Sequence, residues 1–296
     1  TGPEYAYGLI KQLEHSSIEV WTNTLIREVK PGYVQCINQN GIHEVKTKAI
    51  LMCLGCRERT AGEIALLGER PSGIFMAGAA QKMINMDGIL PGKRAIIYGS
   101  GDIGLIMARR LVLSGIQVDA VIEIAKSSPG LPRNIQQCLM DYDIPLLLHH
   151  GITKVHGEDT LESVDVQNLS TGEGMNFPCD TLLLSVGLKP LTEHLSELDL
   201  LINPRTKGPM VDSNYMSSVE GIFFCGNNLH VHDIADEVSV EARLAVKGIL
   251  SWLEEPEREE IDLKEGQGIS LVIPNSINPR KDSSIYYRVS QFSRGQ

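Results

Sequence analysis

Three glycines between positions 99 and 104 form the pattern in this sequence with the best-defined chemistry. The segment Gly99-Ser100-Gly101-Asp102-Ile103-Gly104 matches G-x-G-x-x-G, between an apolar run at 94–98 and an amphipathic run at 103–114. Between a strand and a helix, such glycines allow a tight turn, a close approach of pyrophosphate and close helix packing. The helix N-terminus then offers free N–H groups to phosphate. These six residues are predicted to bind a dinucleotide.

An acidic residue, Glu123, stands near the end of the second predicted strand, 118–124. This is about 20 residues beyond the turn, where an acid accepts hydrogen bonds from the ribose hydroxyls of a dinucleotide. Its charge would repel a 2′-phosphate, so the sequence favours NAD over NADP. Lys126 could reach such a phosphate and weakens this preference.

Two further clusters of reactive side chains allow more than one interpretation. Cys53 and Cys56 form C-x-x-C, at the end of an apolar run. A redox-active pair needs an accessible thiolate, usually at a helix N-terminus, so structural cysteines are favoured, and zinc lacks a second ligand pair. His230, His232 and Asp233 have no third ligand at suitable spacing, so no metal is predicted. Asp233 is a candidate cap for the helix that follows it.

The elements that must position these residues alternate along the chain. From residue 94, strand-like and helix-like runs follow one another, which predicts a parallel sheet with right-handed crossovers. The predicted helices are 4–15, 103–114, 134–142 and 233–252. The predicted strands are 18–21, 24–30, 32–37, 42–46, 49–54, 74–78, 94–98, 118–124, 145–149, 152–156, 161–169, 180–186, 221–225, 269–273 and 285–289.

Composition limits the class of protein and of partner. The chain has 296 residues, 42% of them hydrophobic and 22% charged, with a net charge of −10. This acidic balance disfavours nucleic acid and anionic membranes, which need a basic face. No apolar run approaches the roughly 18 residues of a membrane span. The six cysteines lie mostly in apolar runs, which predicts a reducing, cytoplasmic location.

Three motifs around the glycine turn carry a resemblance to a known family. They are the segments at 51–59 (LMCLGCRER), 181–190 (TLLLSVGLKP) and 221–233 (GIFFCGNNLHVHD). The chain resembles the pyridine nucleotide-disulfide oxidoreductase superfamily. More narrowly, it looks like the branch that contains the FAD/NAD subunits of opine and amine dehydrogenases, hydrogen cyanide synthase and sarcosine oxidase. It is also similar to an oxidoreductase paired with glycerol-3-phosphate dehydrogenase.

The resemblance implies an α/β fold with two Rossmann-like, three-layer domains. An NAD-binding domain at 91–171 would be inserted in a truncated FAD-binding domain made of 1–90 and 172–252, with a C-terminal tail at 253–296. Gly55 and Gly187 would mark the two links between them. In the family, the third motif holds a Gly-Asp pair whose carboxylate binds the flavin ribityl chain. Here it reads Gly226-Asn227, which with His232 and Asp233 would contact FAD.

One departure from the family affects the expected function. No FAD-binding glycine turn precedes Gly99, so the chain is expected to be a piece of a longer polypeptide or to work with a separate subunit. The resemblance implies an FAD-dependent NAD(H) oxidoreductase that passes hydride between nicotinamide and flavin, without a side-chain nucleophile. A partner dehydrogenase subunit or a second copy, and a small-molecule or protein electron acceptor, would complete it. The alternatives are an NAD(H)-binding module or structural subunit without catalysis, and a disulfide reductase using Cys53 and Cys56.

Overall fold

A five-stranded parallel sheet positions the glycine turn in the computed structural model, which describes residues 2–255 and 259–289. The helices are α1 (Gly2–Glu14), α2 (Ala77–Lys82), α3 (Asp102–Leu113), α4 (Pro132–Cys138) and α5 (Ala235–Glu254). The strands are β1 (Leu25–Lys30), β2 (Tyr33–Asn38), β3 (Gly41–Lys46), β4 (Ile50–Met52), β5 (Cys56–Glu58), β6 (Ile74–Met76), β7 (Arg94–Tyr98), β8 (Gln117–Glu123), β9 (Leu146–Leu148), β10 (His150–His156), β11 (Ser163–Asn168), β12 (Gly174–Pro178), β13 (Thr181–Leu184), β14 (Leu188–Pro190), β15 (Ile222–Phe224), β16 (Ile261–Asp262), β17 (Ile269–Ile273), β18 (Ser276–Ile277) and β19 (Tyr286–Val289).

The parallel sheet runs in the order β6-β13-β7-β8-β9 and is covered on both faces. Its strands are nearly continuous apolar runs, as expected when neither face meets water. Ile97 and Leu183 pack with α2 and α3 on one face. Ile96 and Leu182 pack on the other face against the antiparallel sheet β10-β11-β12. These three layers confirm the α/β class and the parallel sheet predicted from the alternating elements.

The sheet takes in more of the chain than residues 91–171. Strand β13 pairs in parallel with both β6 and β7, so residues 74–76 and 181–184 belong to the sheet that carries the glycine turn. The resemblance places both segments in the FAD-binding part instead. Both are short apolar runs followed by glycine within a few residues, and such runs look alike in either domain.

A second, smaller core surrounds the parallel pair β4–β15. Buried residues of β4, β15 and α5 pack there with Leu271 and Ile273 of β17, and Tyr286 of β19 lies against them. Strands β17 and β19 of the predicted tail are therefore part of this core. Residues 256–258 and 290–296 of that tail lie outside the described residues.

A two-stranded ribbon, β5–β14, joins the two cores. Its strands follow Gly55 and Gly187, the two links expected from the resemblance. The guanidinium of Arg57 lies 2.7 Å from Glu63 and 2.6 Å from Glu193, and Lys189 lies 2.6 Å from the same Glu193 carboxylate. These ion pairs, made by one side chain from each strand, therefore stabilise the ribbon.

Local differences from the predicted elements have simple causes. Residues 18–21 form no strand, because nothing pairs with them and the side chains of Ile18 and Val20 are exposed. Strand β12 was missed because its sequence, Gly174–Pro178, follows turn residues and contains few β-branched side chains. Helix α1 buries none of its residues.

Within the described chain, no helix is both long and apolar enough to cross a bilayer.

The packing of α3 on the sheet predicts a difference between two glycine substitutions. A Cβ at Gly104 would lie 2.3 Å from the carbonyl oxygen of Gly99, which cannot rotate away. Gly104→Ala should lower the free energy of unfolding by about 3 kcal/mol, measured by urea denaturation. Gly101→Ala is the matched control: no atom lies within 4 Å of its Cβ position, so its cost should stay below about 1 kcal/mol. Equal losses for the two variants would contradict this packing.

Candidate functional site

The glycine turn follows β7 and leads into α3. Gly99 has a φ of +104°, and a Cβ there would lie 2.0 Å from the carbonyl oxygen of Ser185, so only glycine fits. At Gly101, in contrast, the space beside the backbone is open. The first and third glycines are thus required for packing, while the middle one faces the side from which a pyrophosphate would approach the N-terminus of α3.

A buried carboxylate fixes the conformation of this turn. Both the backbone N–H and the hydroxyl of Ser100 donate to Oε2 of Glu123, at 2.9 and 2.7 Å. Its Oε1 accepts from the backbone N–H of Ala125 at 2.8 Å. Glu123 is 7% exposed and Ser100 is fully buried. A carboxylate has about four acceptor positions, so three are filled by the protein and one is left.

Asp102 and Ile103, two other residues of the motif, differ in their surroundings. Asp102 accepts at Oδ1 from the backbone N–H of Leu131 and the side-chain amide of Asn134, both at 2.8 Å. It therefore ties the start of α4 to the turn. The helical spacing of Ile103, Met107 and Leu111 predicts that all three pack on the sheet. Met107 and Leu111 are buried, but Ile103 is 43% exposed. The prediction was wrong for Ile103, because Gly104 makes the close approach to the sheet at the start of α3.

A second group of polar side chains lies at the carboxyl ends of β4 and β15. The Oε2 atom of Glu241 lies 2.9 Å from Nε2 of His230 and 3.3 Å from Nε2 of His232. The Oε1 atom accepts from the backbone N–H of Gly226 at 2.5 Å. Burial alone would raise the pKa of Glu241, but hydrogen bonds from His230 and His232 lower it to about 2. The carboxylate is thus charged and bridges α5 to the loop after β15.

These three side chains are also the set of donors in the described residues that could hold a cation, since their ligand atoms lie within 4.8 Å of one another. No third ligand was predicted from sequence beside the two histidines, and Glu241 supplies one. Glu241 was missed because it stands nine residues beyond His232. A signal was present: Glu241, Ala245, Gly248 and Trp252 share the buried face of α5, and an acid on such a face needs a partner.

The C-terminal strands complete this cluster. The ring of Tyr286 lies with its centroid 4.9 Å from that of His230, and the two histidine rings are 3.9 Å apart. Arg288 donates to Oδ2 of Asp233 at 2.9 Å. Helix α5 begins after Ile234 and has no side-chain cap, so the predicted capping by Asp233 was wrong: its carboxylate is held by Arg288 instead. No pattern in the sequence could place Tyr286 here.

The remaining residues expected to contact flavin lie around the same loop. Asn227 accepts at Oδ1 from the backbone N–H of His232 at 3.0 Å, with the His232 Nδ1 3.3 Å away. Gly226 has a φ of +73°. Gly55 and Gly187 have φ values of +76° and +97° and face open space. The structure thus brings Gly226, Asn227 and His232 together, while the glycine turn at 99 belongs to the other core.

Two cysteines meet beside this loop. Cys53 follows β4 and Cys225 follows β15, and their Sγ atoms are 3.5 Å apart. The structure therefore places Cys53 against Cys225, whereas the sequence suggested Cys56 as its neighbour. Burial raises the pKa of the Cys56 thiol, an effect that a hydrogen bond with Asn227 partly offsets.

Two curated relatives show which proteins this chain is similar to. The curated relatives include a ferredoxin–NADP reductase from Picrophilus torridus, 22% identical over 199 residues (67% of this chain, 59% of the relative). A subunit of opine oxidase from Rhizobium meliloti is 23% identical over 282 residues, 86% of this chain and 60% of the relative. The chain thus spans less than two thirds of the length of either relative.

Fold and family comparisons agree with the resemblance stated from the motifs. Thioredoxin reductase of T. acidophilum superimposes with a TM-score of 0.66 at 19% sequence identity, over 86% of this chain and 82% of that chain. This likeness confirms the predicted Rossmann-like fold class. The opine oxidase relative is one of the proteins that the motifs resemble. A family model described as pyridine nucleotide-disulphide oxidoreductase matches residues 1–241. The chain belongs to the pyridine nucleotide-disulphide oxidoreductase family.

Proposed function

We propose that this chain is the NAD(H)-binding portion, together with part of the FAD-binding portion, of an FAD-dependent oxidoreductase. The observation that carries this proposal is the turn at Gly99, Gly101 and Gly104, which has the strand, the helix and the buried acid of a dinucleotide site. Bound together, the two cofactors would supply hydride transfer between nicotinamide and flavin. The protein's own side chains then bind, orient and neutralise charge.

The residues of the turn fit NAD(H). The open side of Gly101 leaves room for pyrophosphate beside the N-terminus of α3, whose unpaired N–H groups and positive dipole end favour its charge. The one free acceptor position of Glu123 suits a ribose hydroxyl. Its carboxylate, held in place by Ser100, disfavours the 2′-phosphate of NADP(H). We therefore assign NAD(H) rather than NADP(H).

The residues of the second core fit part of FAD. Nδ1 of His230 is buried and has no hydrogen-bond partner among the described residues, which is a costly state that a polar group of a bound cofactor would relieve. Gly226, Asn227, His232 and Asp233 belong to the same loop and would hold the ribityl chain. Gly55 and Gly187, on the links, would leave space for the ring system. No second G-x-G-x-x-G turn occurs between residues 2 and 98, so the FAD pyrophosphate must be bound elsewhere.

A partner polypeptide or a further segment would supply the missing turn. Apolar side chains of α1, including Tyr7, Leu9 and Ile10, are between 42% and 58% exposed, which suits a surface that another unit covers. The opine oxidase relative is by name one subunit of its enzyme. In this proposal, a dehydrogenase partner or a second copy of the chain associates with this chain. Electrons would leave to, or come from, that partner or a small acceptor. Six free cysteines suit a reducing cytoplasm.

Flavin binding and turnover test this proposal as a whole. The purified chain with added FAD should reduce a dye at the expense of NADH, and the rate should rise further when the segment or subunit with the second glycine turn is present. The measurement is flavin absorbance together with NADH oxidation. Binding of NADH without flavin binding or turnover under either condition would favour the alternative, an NAD(H)-binding module.

Blocking the open side of Gly101 should remove NADH binding without unfolding the chain. In Gly101→Val the side chain fills the space predicted for pyrophosphate, so we expect the dissociation constant for NADH to rise at least about tenfold, about 1.4 kcal/mol. Fluorescence titration measures it, and the thermal midpoint serves as the stability control. Unchanged affinity would place the dinucleotide elsewhere.

The charge of Glu123 should set the preference between the two nicotinamide cofactors. Glu123→Gln keeps the shape and removes the charge, so the ratio of NADPH to NADH dissociation constants should fall roughly fivefold to tenfold. Calorimetric titration of both cofactors measures the ratio. A purely structural effect would weaken both cofactors equally. Asp119→Asn, on the same strand but paired with Arg94, is the control and should leave the ratio unchanged.

A further inference from the structure

The pair of cysteines at the ends of β4 and β15 has the geometry of a reversible disulfide. Met52 and Phe224 are partners in the parallel register, so Cys53 and Cys225 are the next pair along the two strands. Neighbouring strands lie about 4.8 Å apart, within the Cα separations that disulfides span. The Sγ atoms, 3.5 Å apart, need to close by only about 1.5 Å to bond, which side-chain rotation can provide.

The two thiols have unlike surroundings. Cys53 is exposed, whereas Cys225 is 2% exposed. A hydrogen bond from the Cys225 thiol lowers the pKa of Cys53 to about 7, against the opposing effects of burial and the Glu241 charge. The same hydrogen bond, with burial, raises the pKa of Cys225. The pair is thus one accessible thiolate backed by one buried thiol.

We propose that Cys53 and Cys225 form a thiol–disulfide exchange site for low-molecular-weight disulfides, in which Cys53 attacks and Cys225 resolves. This activity goes beyond the proposed function and requires neither NAD(H) nor FAD. An attacking thiol exchanges fastest when its pKa lies near the ambient pH, and Cys53 meets that condition at the surface. Because Cys225 is buried, bulky disulfides cannot reach its thiol directly.

The exchange balances in two steps. The Cys53 thiolate attacks one sulfur of a disulfide RSSR, forming a Cys53–SR mixed disulfide and releasing RS⁻. Without the thiolate charge of Cys53, the Cys225 thiol ionises more easily, attacks the sulfur of Cys53 and releases the second RS⁻. The protons of the two cysteines pass to the two leaving thiolates. The protein dithiol is oxidised to one disulfide, and RSSR is reduced to two RSH.

Titratable groups from several elements face the pair. The charge of Glu241, on α5, opposes ionisation of both thiols, and its carboxylate is bound by His230 and His232. Tyr215, whose pKa is raised by burial, also faces Cys225. Cys56 is not an equivalent resolving group. Gly55, with a φ of +76°, turns the chain between Cys53 and Cys56, and the raised pKa of Cys56 makes it a poor thiolate.

Peptide mapping distinguishes the two possible disulfides. After the reduced chain is treated with oxidised glutathione and alkylated, trypsin releases Cys53 and Cys56 together in the peptide 49–57, and Cys225 in the peptide 208–243. The expected product is a cross-link between these two peptides. A loop within 49–57, or no cross-link, would overturn the proposal. Neither FAD nor NADH is present, so this result is independent of the proposed function.

Variants test the assigned roles. Cys53→Ser should lower the rate of thiol loss at least about tenfold, because no other described cysteine combines exposure with a lowered pKa. Cys225→Ala should stop at a stable mixed disulfide with one glutathione on Cys53. Cys56→Ser should react at the wild-type rate. Equal rates for Cys53→Ser and wild type, or a mixed disulfide that does not accumulate in Cys225→Ala, would contradict the assignment.

The pH profile supplies a second readout that does not depend on folding of the variants. For wild type, the rate of mixed-disulfide formation should rise roughly tenfold between about pH 6 and pH 8, as expected for a thiol that is half ionised near pH 7. An ordinary thiol of pKa about 8.5 would give a rise of roughly 75-fold. The steeper profile would show that Cys225 does not activate Cys53.

Discussion

The hydrogen bonds between Ser100 and the buried carboxylate of Glu123 join the ends of two neighbouring strands. They hold the glycine turn from one side, and Ser185, at the end of β13, touches it from the other. Because Gly99 also donates to the carbonyl of Ile122 at 2.8 Å, the turn has little freedom left. A dinucleotide would therefore meet a preformed site, and little conformational entropy would be lost on binding.

The second core depends on a similar arrangement around Glu241. A charged carboxylate in a buried place must be paired, and His230, His232 and the backbone of Gly226 provide the partners. The C-terminal strands close this core through Tyr286 and Arg288. In each core, then, one acid fixes the loop at the carboxyl ends of parallel strands, which is where open α/β sheets bind their ligands.

Local patterns predicted the glycine turn, its flanking strand and helix and the position of Glu123, because these depend on residues close together in sequence. The fold class followed from the alternation of strands and helices. The pairing of Cys53 with Cys225 and the stacking of Tyr286 on His230 could not be predicted, because each joins segments far apart in the chain and tertiary packing decides which strands pair. Glu241 was missed although its place on the apolar face of α5 indicates an acid that needs a partner. The inward direction of the Glu123 carboxylate is likewise set by Ser100 and Ala125, not by spacing.

A crystal structure of the chain with NADH bound is the most direct test of the dinucleotide site. We expect phosphate oxygens within hydrogen-bonding distance of the N–H groups at the start of α3, beside the open face of Gly101, and a ribose hydroxyl on Glu123. An empty glycine turn in crystals saturated with NADH, or a dinucleotide bound at another surface, would contradict the assignment of this turn.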